Sequence, residues 1–272
     1  MNLIRNQGFD MVSLPMQNDS VQAPAQPDQP PLAHASWLGS DWCTDARQTI
    51  AAMNDMNPDW LIVDHYALDA RWESHLRSYC KRIMVIDDLA DRSHDCDLLM
   101  NQNLVADKSE QYSDRVPAQC GMMLGPRYAL LQPQYADLHL RAPPREGPVR
   151  RVLVYFGGAD SSNLTEMAIL AFLSLNRKDI VLDVVINPES PHAESIRRQT
   201  EGQQNITLYT GLPTLALLMV KSDIAIGAGG TTSWERCCMG LPALVITLAE
   251  NQKQISEQLD SRKTQTIVES TR

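Results

Sequence analysis

The chain has 272 residues, which by common domain size points to about two domains. Its 24 Lys and Arg against 33 Asp and Glu leave a net charge of −9, excluding a whole-surface electrostatic grip on nucleic acid or anionic lipid. With 43% hydrophobic residues it can bury a sizeable core, and no apolar run approaches the roughly 18 residues of a membrane span.

The opening, MNLIRNQGFD, lacks the apolar stretch of a secretion signal, and the six cysteines, Cys43, Cys80, Cys96, Cys120, Cys237 and Cys238, form no C-x-x-C pair. A cytoplasmic protein with reduced thiols is expected, with neither nucleic acid nor membrane as partner. Glycine is sparse, at 13, where average usage of about 7% would give more.

From Met1 the pattern predicts the last turn of a helix, closed by Gly8 in a left-handed cap, and then a strand over Phe9 to Leu14. Residues 15 to 31 are proline-rich and polar and read as a surface loop. A helix is predicted near Asp45 to Asn54. Short apolar strands follow at Trp60 to Val63, Arg82 to Ile86 and Asp97 to Met100, with a helix over Ala70 to Lys81. Strands apolar throughout, alternating with helices, are the mark of a parallel sheet covered on both faces.

The segment RAPPREGP, 141 to 148, interrupts this alternation with three prolines and a glycine and places a domain boundary there. Beyond it the pattern restarts. Strands are predicted at Arg151 to Phe156, Ile180 to Ile186, Ile206 to Tyr209, Asp223 to Ile226 and Ala243 to Thr247. The intervening helices run to about Leu175, near His192 to Thr200, and over Leu215 to Lys221. The tail SRKTQTIVESTR shows no apolar periodicity. The expected organisation is a Rossmann-like domain over 1–140, a linker over 141–149 and a second Rossmann-like domain over 150–272. Both are doubly wound parallel sheets, facing each other across a cleft.

In open α/β sheets ligands bind at the carboxyl ends of the strands, and four strand-end loops qualify. Gly227-Ala228-Gly229-Gly230-Thr231-Thr232-Ser233-Trp234-Glu235 offers close backbone approach and a following helix start, which suit a diphosphate. Glu235, one turn into that helix, can accept hydrogen bonds from both hydroxyls of a ribose. The same string also fits a tight turn capped by Thr232 or Ser233, and it is neither a Walker A loop nor a dinucleotide fingerprint. Gly157-Gly158-Ala159-Asp160-Ser161-Ser162-Asn163 is the parallel turn that opens the second half, where Asn163 and Glu166 also fit a capping box.

Glu250-Asn251-Gln252 supplies a neutral amide at the end of the next strand, or simply a polar loop. In the first half, Asp64-His65-Tyr66 and Asp87-Asp88-Leu89-Ala90-Asp91-Arg92 end two strands. Their carboxylates and His65 suit acid/base chemistry; equally, Asp87 and Asp88 cap a turn and Asp91-Arg92 is a solvated pair. His94 and Cys96 lack complementary ligands, so no metal site is expected.

The strings DHYALD, IDDLADRSHDCDLLMNQN, LGPRYALL, FGGADSSN and IGAGGTTSWERCCMGLPAL, followed by ENQ, resemble in order and spacing the UDP-2,4-diacetamido-2,4,6-trideoxy-β-L-altropyranose hydrolase family of pseudaminic acid biosynthesis. The match runs from about Trp37 to Gln252. It implies the two-domain GT-B architecture, a UDP-linked diacetamido-trideoxy sugar as substrate, and water attack at the anomeric carbon without a metal or other cofactor. The glycine loop is also similar to that of the peptidoglycan N-acetylglucosaminyltransferase.

Carried over by motif, the resemblance implies that Glu235 holds the uridine ribose and that Gly229, Gly230, Thr231, Thr232 and Ser233 hold the diphosphate. Asn163 would touch substrate, and Tyr66 and Asn251 would face the sugar and leaving group as the catalytic pair. The family also opens with a Gly-x-Gly-His-x-x-Arg loop whose histidine is the general base. None of His34, His65, His75, His94, His139 and His192 stands in that context. The chain is therefore expected to be a piece of a longer frame, lacking its first strand and glycine loop and the end of its second domain, and to be weakly active or inactive. A glycosyltransferase using a UDP-sugar donor, a UDP-sugar 2-epimerase and a non-catalytic UDP-binding remnant are the competing readings.

Overall fold

The computed structural model describes residues 4–5, 7–15, 32–54, 56–104, 108–247, 250–261 and 265–268, with backbone alone at 108–109 and 250–255. The chain forms two compact units, Met1–Tyr128 and Ala129–Arg272.

In the first unit Asp41 caps helix α1 (Trp42–Met53), its carboxylate accepting from the Thr44 N–H at 2.9 Å. Strand β1 (Leu61–Val63) follows, then α2 (Ala70–Leu76), β2 (Ile83–Ile86), β3 (Leu98–Asn101), α3 (Lys108–Gln111) and β4 (Gly121–Leu124). The sheet is parallel throughout, in the order β1-β2-β3-β4. Val63, Val85 and Leu99 from its strands pack with Ala46 of α1 and with Trp72 and Leu76 of α2.

The expected helix to Lys81 stops at Leu76, where a 3-10 turn over Arg77–Tyr79 begins. Arg77 then pairs with Asp95 at 2.7 Å and Asp97 at 2.5 Å. Gly8 closes its turn as predicted, with φ +84° and its N–H on the Arg5 carbonyl at 2.9 Å. The strand expected over Phe9 to Leu14 does not form. No strand among the described residues pairs with this segment, and Phe9 and Val12 are exposed. The proline-rich loop lies, from residue 16 to 31, outside the described residues.

The second unit begins with α4 (Pro133–His139) and continues β5 (Arg151–Tyr155), α5 (Leu164–Ser174), β6 (Val181–Ile186), α6 (Ala193–Thr200), β7 (Ile206–Thr210), α7 (Ala216–Lys221) and β8 (Ile224–Ala228). It ends with α8 (Thr232–Cys238), β9 (Ala243–Ile246), α9 (Glu250–Ser261) and β10 (Gln265–Ile267). The six strands are parallel, in the order β7-β6-β5-β8-β9-β10. Counted from β5, this is 3-2-1-4-5-6, the doubly wound order of dinucleotide-binding domains.

Side chains alternate across β5. Val152, Val154 and Phe156 enter the layer with α5 and α6, whereas Leu153 enters the opposite layer with Leu215, Met219 and Met239. Two apolar layers sandwich one sheet, which is why its strands read as continuous hydrophobic runs.

The units divide at Tyr128/Ala129, ahead of the join expected over 141–149. Packing explains the shift. Helix α4 lies against α7 and α8, Tyr135 is buried in their core, and the Arg145 guanidinium donates to the carbonyls of Val220 at 2.8 Å and Met219 at 2.9 Å. The proline segment is thus fastened to the second unit. The tail expected to be without structure supplies β10, paired with β9 from Gln265↔Ala243 to Ile267↔Val245. Such an edge strand rests on backbone pairing, and three residues are too few to show a period.

Candidate functional site

The strand order of the second unit reverses between β5 and β8, so the loops leaving these strands diverge and leave a crevice at their carboxyl ends. A cavity of about 330 Å³ lies in this unit, lined by Tyr155 at the end of β5, Gly158 after it, Asn187 after β6, Thr214 after β7, and Thr232 and Glu235 of α8. Gly227 faces Tyr155 across the β5–β8 ladder. A Cβ there would stand 2.3 Å from the Tyr155 carbonyl oxygen, so only glycine permits this strand spacing.

Glu235 is the acid of this cavity. Burial raises its carboxyl above the ordinary 4.5, a push partly offset by the Tyr135 hydroxyl and the Arg236 charge. Its Oε2 has no hydrogen-bond partner within the protein. An unpartnered, partly desolvated carboxylate oxygen in a concave site is a ready acceptor for hydroxyl donors. The flanking phenols of Tyr135 and Tyr155 are pushed up by burial and by the Glu235 charge, and so stay protonated.

Beneath the glycine loop, Arg236 is 4% exposed. Its guanidinium donates to the Ala228 carbonyl at 3.0 Å, to Ser233 Oγ at 2.9 Å and to Thr232 Oγ1 at 3.4 Å. These hydroxyls are thereby engaged by Arg236, and α8 has no side-chain cap. Of the expected diphosphate residues, Thr232 lines the cavity, whereas Gly229, Gly230, Thr231 and Ser233 do not. Ser233 is buried and Thr231 exposed.

The turn after β5 is held by Asp160, which accepts from the N–H groups of Leu164 at 2.9 Å and Thr165 at 3.0 Å and so caps α5. Asn163 adopts a left-handed φ of +53° and donates its amide to Glu166, leaving its Oδ1 buried without a partner. It lies outside the cavity lining, but Gly158 of the same turn is part of it. Asn187 ties the neighbouring loops together, its amide donating to the Gly158 carbonyl at 3.1 Å. Asn251 falls in the first turn of α9, and its side chain lies outside the described residues.

In the first unit, Tyr66 stands in the turn after β1 and its hydroxyl donates to Asp88 Oδ1 at 2.7 Å. Burial and the neighbouring carboxylates push its proton affinity well up, so it is a donor and not a base. Asp87 serves structure instead. It pairs with the buried Arg92 at 2.8 Å and accepts from the Tyr112 hydroxyl at 2.9 Å and the Ala90 N–H at 2.9 Å. Arg92 also reaches Asp91 at 2.9 Å; the Arg92 end of that pair is buried, whereas the Asp91 side chain is exposed. His65 uses Nδ1 to accept the Ala67 N–H at 3.1 Å.

His94 and Cys96 also have structural roles. His94 Nδ1 lies 2.7 Å from Glu73 Oε1, both side chains being inaccessible, and the Cys96 and Cys120 sulfurs are 3.6 Å apart. No described helix is long and apolar enough to cross a membrane.

Residue-by-residue reading missed Tyr135 and Arg236. The proline at the first position of α4 marked a helix start two residues before Tyr135, and Arg236 follows Thr232 by one helical turn, on the same face of α8.

Two parallel α/β units, the second in the doubly wound order, define a GT-B-type fold. Among solved structures the chain resembles MurG of Acinetobacter baumannii, with a TM-score of 0.56 and 12% identity over 98% of this chain and 74% of that one. It also resembles the spinosyn rhamnosyltransferase SpnG, solved with thymidine diphosphate, with a TM-score of 0.57 and 16% identity over 86% of this chain and 65% of that one.

Sequence relatives narrow the class. The chain is 24% identical over 194 residues, 71% of its length and 68% of the relative's, to the UDP-2,4-diacetamido-2,4,6-trideoxy-β-L-altropyranose hydrolase of Campylobacter jejuni. It is 32% identical over 133 residues to the spore coat polysaccharide biosynthesis protein SpsG of Bacillus subtilis, covering 47% of this chain and 38% of that protein. It is 23% identical over 219 residues to the uncharacterized protein MJ1062 of Methanocaldococcus jannaschii, covering 78% of this chain and 45% of that protein. The match thus spans less than half the length of SpsG and MJ1062. No protein-family model matches the sequence.

Proposed function

We propose that this protein processes a UDP-sugar, and that the reaction is hydrolysis of a UDP-linked diacetamido-trideoxy sugar in pseudaminic acid biosynthesis. The observation that carries the nucleotide part is the unpartnered Glu235 carboxylate oxygen in the cavity at the β5/β8 switch point. In this reading Glu235 accepts from the two ribose hydroxyls. The backbone from Gly229 to Ser233 and the turn carrying Asn163 hold the diphosphate side of the ligand.

A water oxygen attacks the anomeric carbon, the bond from that carbon to the diphosphate oxygen breaks, UDP leaves with the electron pair, and the water proton passes to solvent. Tyr66, kept protonated by burial and by Asp88, which takes its hydrogen, offers its phenol oxygen as an acceptor to a sugar hydroxyl or amide N–H, and Asn251 supplies an uncharged amide to the sugar or leaving group. Support for hydrolysis over transfer comes from the motif match and from the Campylobacter relative.

The sequence holds no Gly-x-Gly-His string, and a missing general base typically costs about 10²- to 10⁴-fold in rate. The expected outcome is firm UDP binding with slow UDP release from the sugar nucleotide. Measuring UDP release with and without sugar acceptors tests it. Release that needs an acceptor assigns the chain to glycosyl transfer, binding without any release assigns it to the non-catalytic reading, and release at an ordinary enzymatic rate refutes the slow-turnover part.

A further inference from the structure

Two of the free thiols meet in the first unit. Cys96 lies just before β3 and Cys120 just before β4, and their sulfurs stand 3.6 Å apart, in van der Waals contact. The backbone brings them there. Strands β3 and β4 are parallel with Leu98 opposite Gly121, and the Gly121 N–H donates to the Asp97 carbonyl at 2.9 Å, so the pairing reaches down to the two cysteines. An offset of one residue, at about 3.3 Å of rise on strands about 4.8 Å apart, sets their Cα atoms about 6 Å apart. A disulfide spans about 4.4–6.8 Å.

Both segments are held. The Asp97 carboxylate accepts from the Ile83 N–H at 2.7 Å and pairs with Arg77, and the Cys120 N–H donates to the Pro117 carbonyl at 2.8 Å. The two thiols differ in access: Cys96 is 1% exposed within the core, whereas Cys120 is half-buried at its margin.

We propose that Cys96 and Cys120 are a disulfide-forming pair, oxidised by a low-molecular-weight disulfide of the glutathione class. The thiolate of Cys120, the more accessible of the two, attacks one sulfur of the oxidant and expels one thiolate. The Cys96 thiolate then attacks the Cys120 sulfur of the mixed disulfide and expels the second. One S–S bond forms in the protein, one breaks in the oxidant, and the two protons given up by the cysteines end on the two thiols released. The sulfurs close by about 1.5 Å to reach bonding distance.

Burial pushes both thiols up, so little thiolate is present at neutral pH and the reaction quickens as pH rises. The bond closes a loop from Cys96 to Cys120. That loop carries Asn103, whose amide donates to Asp88 at 3.0 Å, and Tyr112, whose hydroxyl donates to Asp87 at 2.9 Å. Oxidation therefore staples the segment that fastens the Asp87-Asp88 turn, the turn that Tyr66 bonds, and it narrows the unfolded ensemble.

The test treats the native full chain with glutathione disulfide, blocks the remaining thiols, maps the linkages by peptide mass spectrometry and follows melting. The expected result is a Cys96–Cys120 linked peptide, two hydrogens lighter than its reduced parts, that forms faster as pH is raised and is reversed by dithiothreitol. Melting of the oxidised protein is expected to rise by about 5 °C or more. Cys120→Ser, at the half-buried position, is expected to lose both the linked peptide and the rise. A lasting glutathione adduct on Cys120 with Cys96 still open to blocking overturns the proposal, as does the absence of reaction at either thiol. A linked protein that melts no higher, or a rise of equal size in Cys120→Ser, overturns the staple.

Discussion

Gly227→Ala puts one methyl group where the β5–β8 ladder has no room for it. The added Cβ would stand 2.3 Å from the Tyr155 carbonyl oxygen and 3.3 Å from an Arg236 guanidinium nitrogen. A carbon and a carbonyl oxygen need about 3.3 Å, so the strands must part by about 1 Å from a normal spacing of about 4.8 Å. That movement weakens the ladder bonds around the Tyr155↔Gly227 register, at about 1 kcal/mol for each bond lost, and overpacking adds about 1–3 kcal/mol. The sum is about 3 kcal/mol, or a fall of roughly 6–12 °C in melting temperature for a unit of this size. Thermal unfolding followed by circular dichroism measures it, with hydrogen exchange at β5 and β8 locating the loss. A variant melting within about 2 °C of the unaltered protein refutes the reasoning, since a shift that small is worth under about 1 kcal/mol.

Two further outcomes follow from groups that burial perturbs. Affinity for uridine, whose phosphate-free structure leaves Glu235 as the titrating group, is expected to fall as pH is lowered through the raised pKa of Glu235, beginning above the ordinary 4.5. Glu235→Gln is expected to bind more weakly and without that pH dependence. The same shift has a stability sign: ionising Glu235 costs the folded state, so the cost is absent below 4.5 and complete above the raised value, and an unchanged pH profile in Glu235→Gln contradicts both statements. Arg92→Met leaves Asp87 as a buried charge whose ion pair was 3% and 0% exposed. Denaturant unfolding is expected to show a loss of about 3–5 kcal/mol, and a loss under about 1 kcal/mol would place that pair in solvent.

The strand pattern of the second unit was legible residue by residue because its inner strands are buried on both faces and so read as mostly apolar runs, as in Ala243–Ile246 and, apart from Asp183, in Val181–Ile186. Strands β4 and β10 were not. Gly121–Leu124 and Gln265–Ile267 are short sheet-edge segments, held by a neighbouring backbone that local sequence does not reveal. The early strand over Phe9 to Leu14 failed for the converse reason: β-propensity without a partner strand forms nothing.

For the site, Glu235 and the two glycine turns were visible because glycine and acid at strand ends carry a mechanical meaning. Tyr135 and Arg236 were not, since their importance lies in what they touch, across α4 and beneath the glycine loop. The domain join was drawn at the prolines, because a proline cluster looks the same whether it hangs free or, as Arg145 ensures here, is tied down by hydrogen bonds.

Calorimetric titration of UDP into the unaltered protein and into Glu235→Ala tests the nucleotide assignment most directly. Hydrogen bonds to a charged acceptor are worth about 1.5–3 kcal/mol each, so the account predicts UDP binding that weakens by at least about tenfold in the variant. UDP that fails to bind the unaltered protein, or binds the variant equally well, contradicts it.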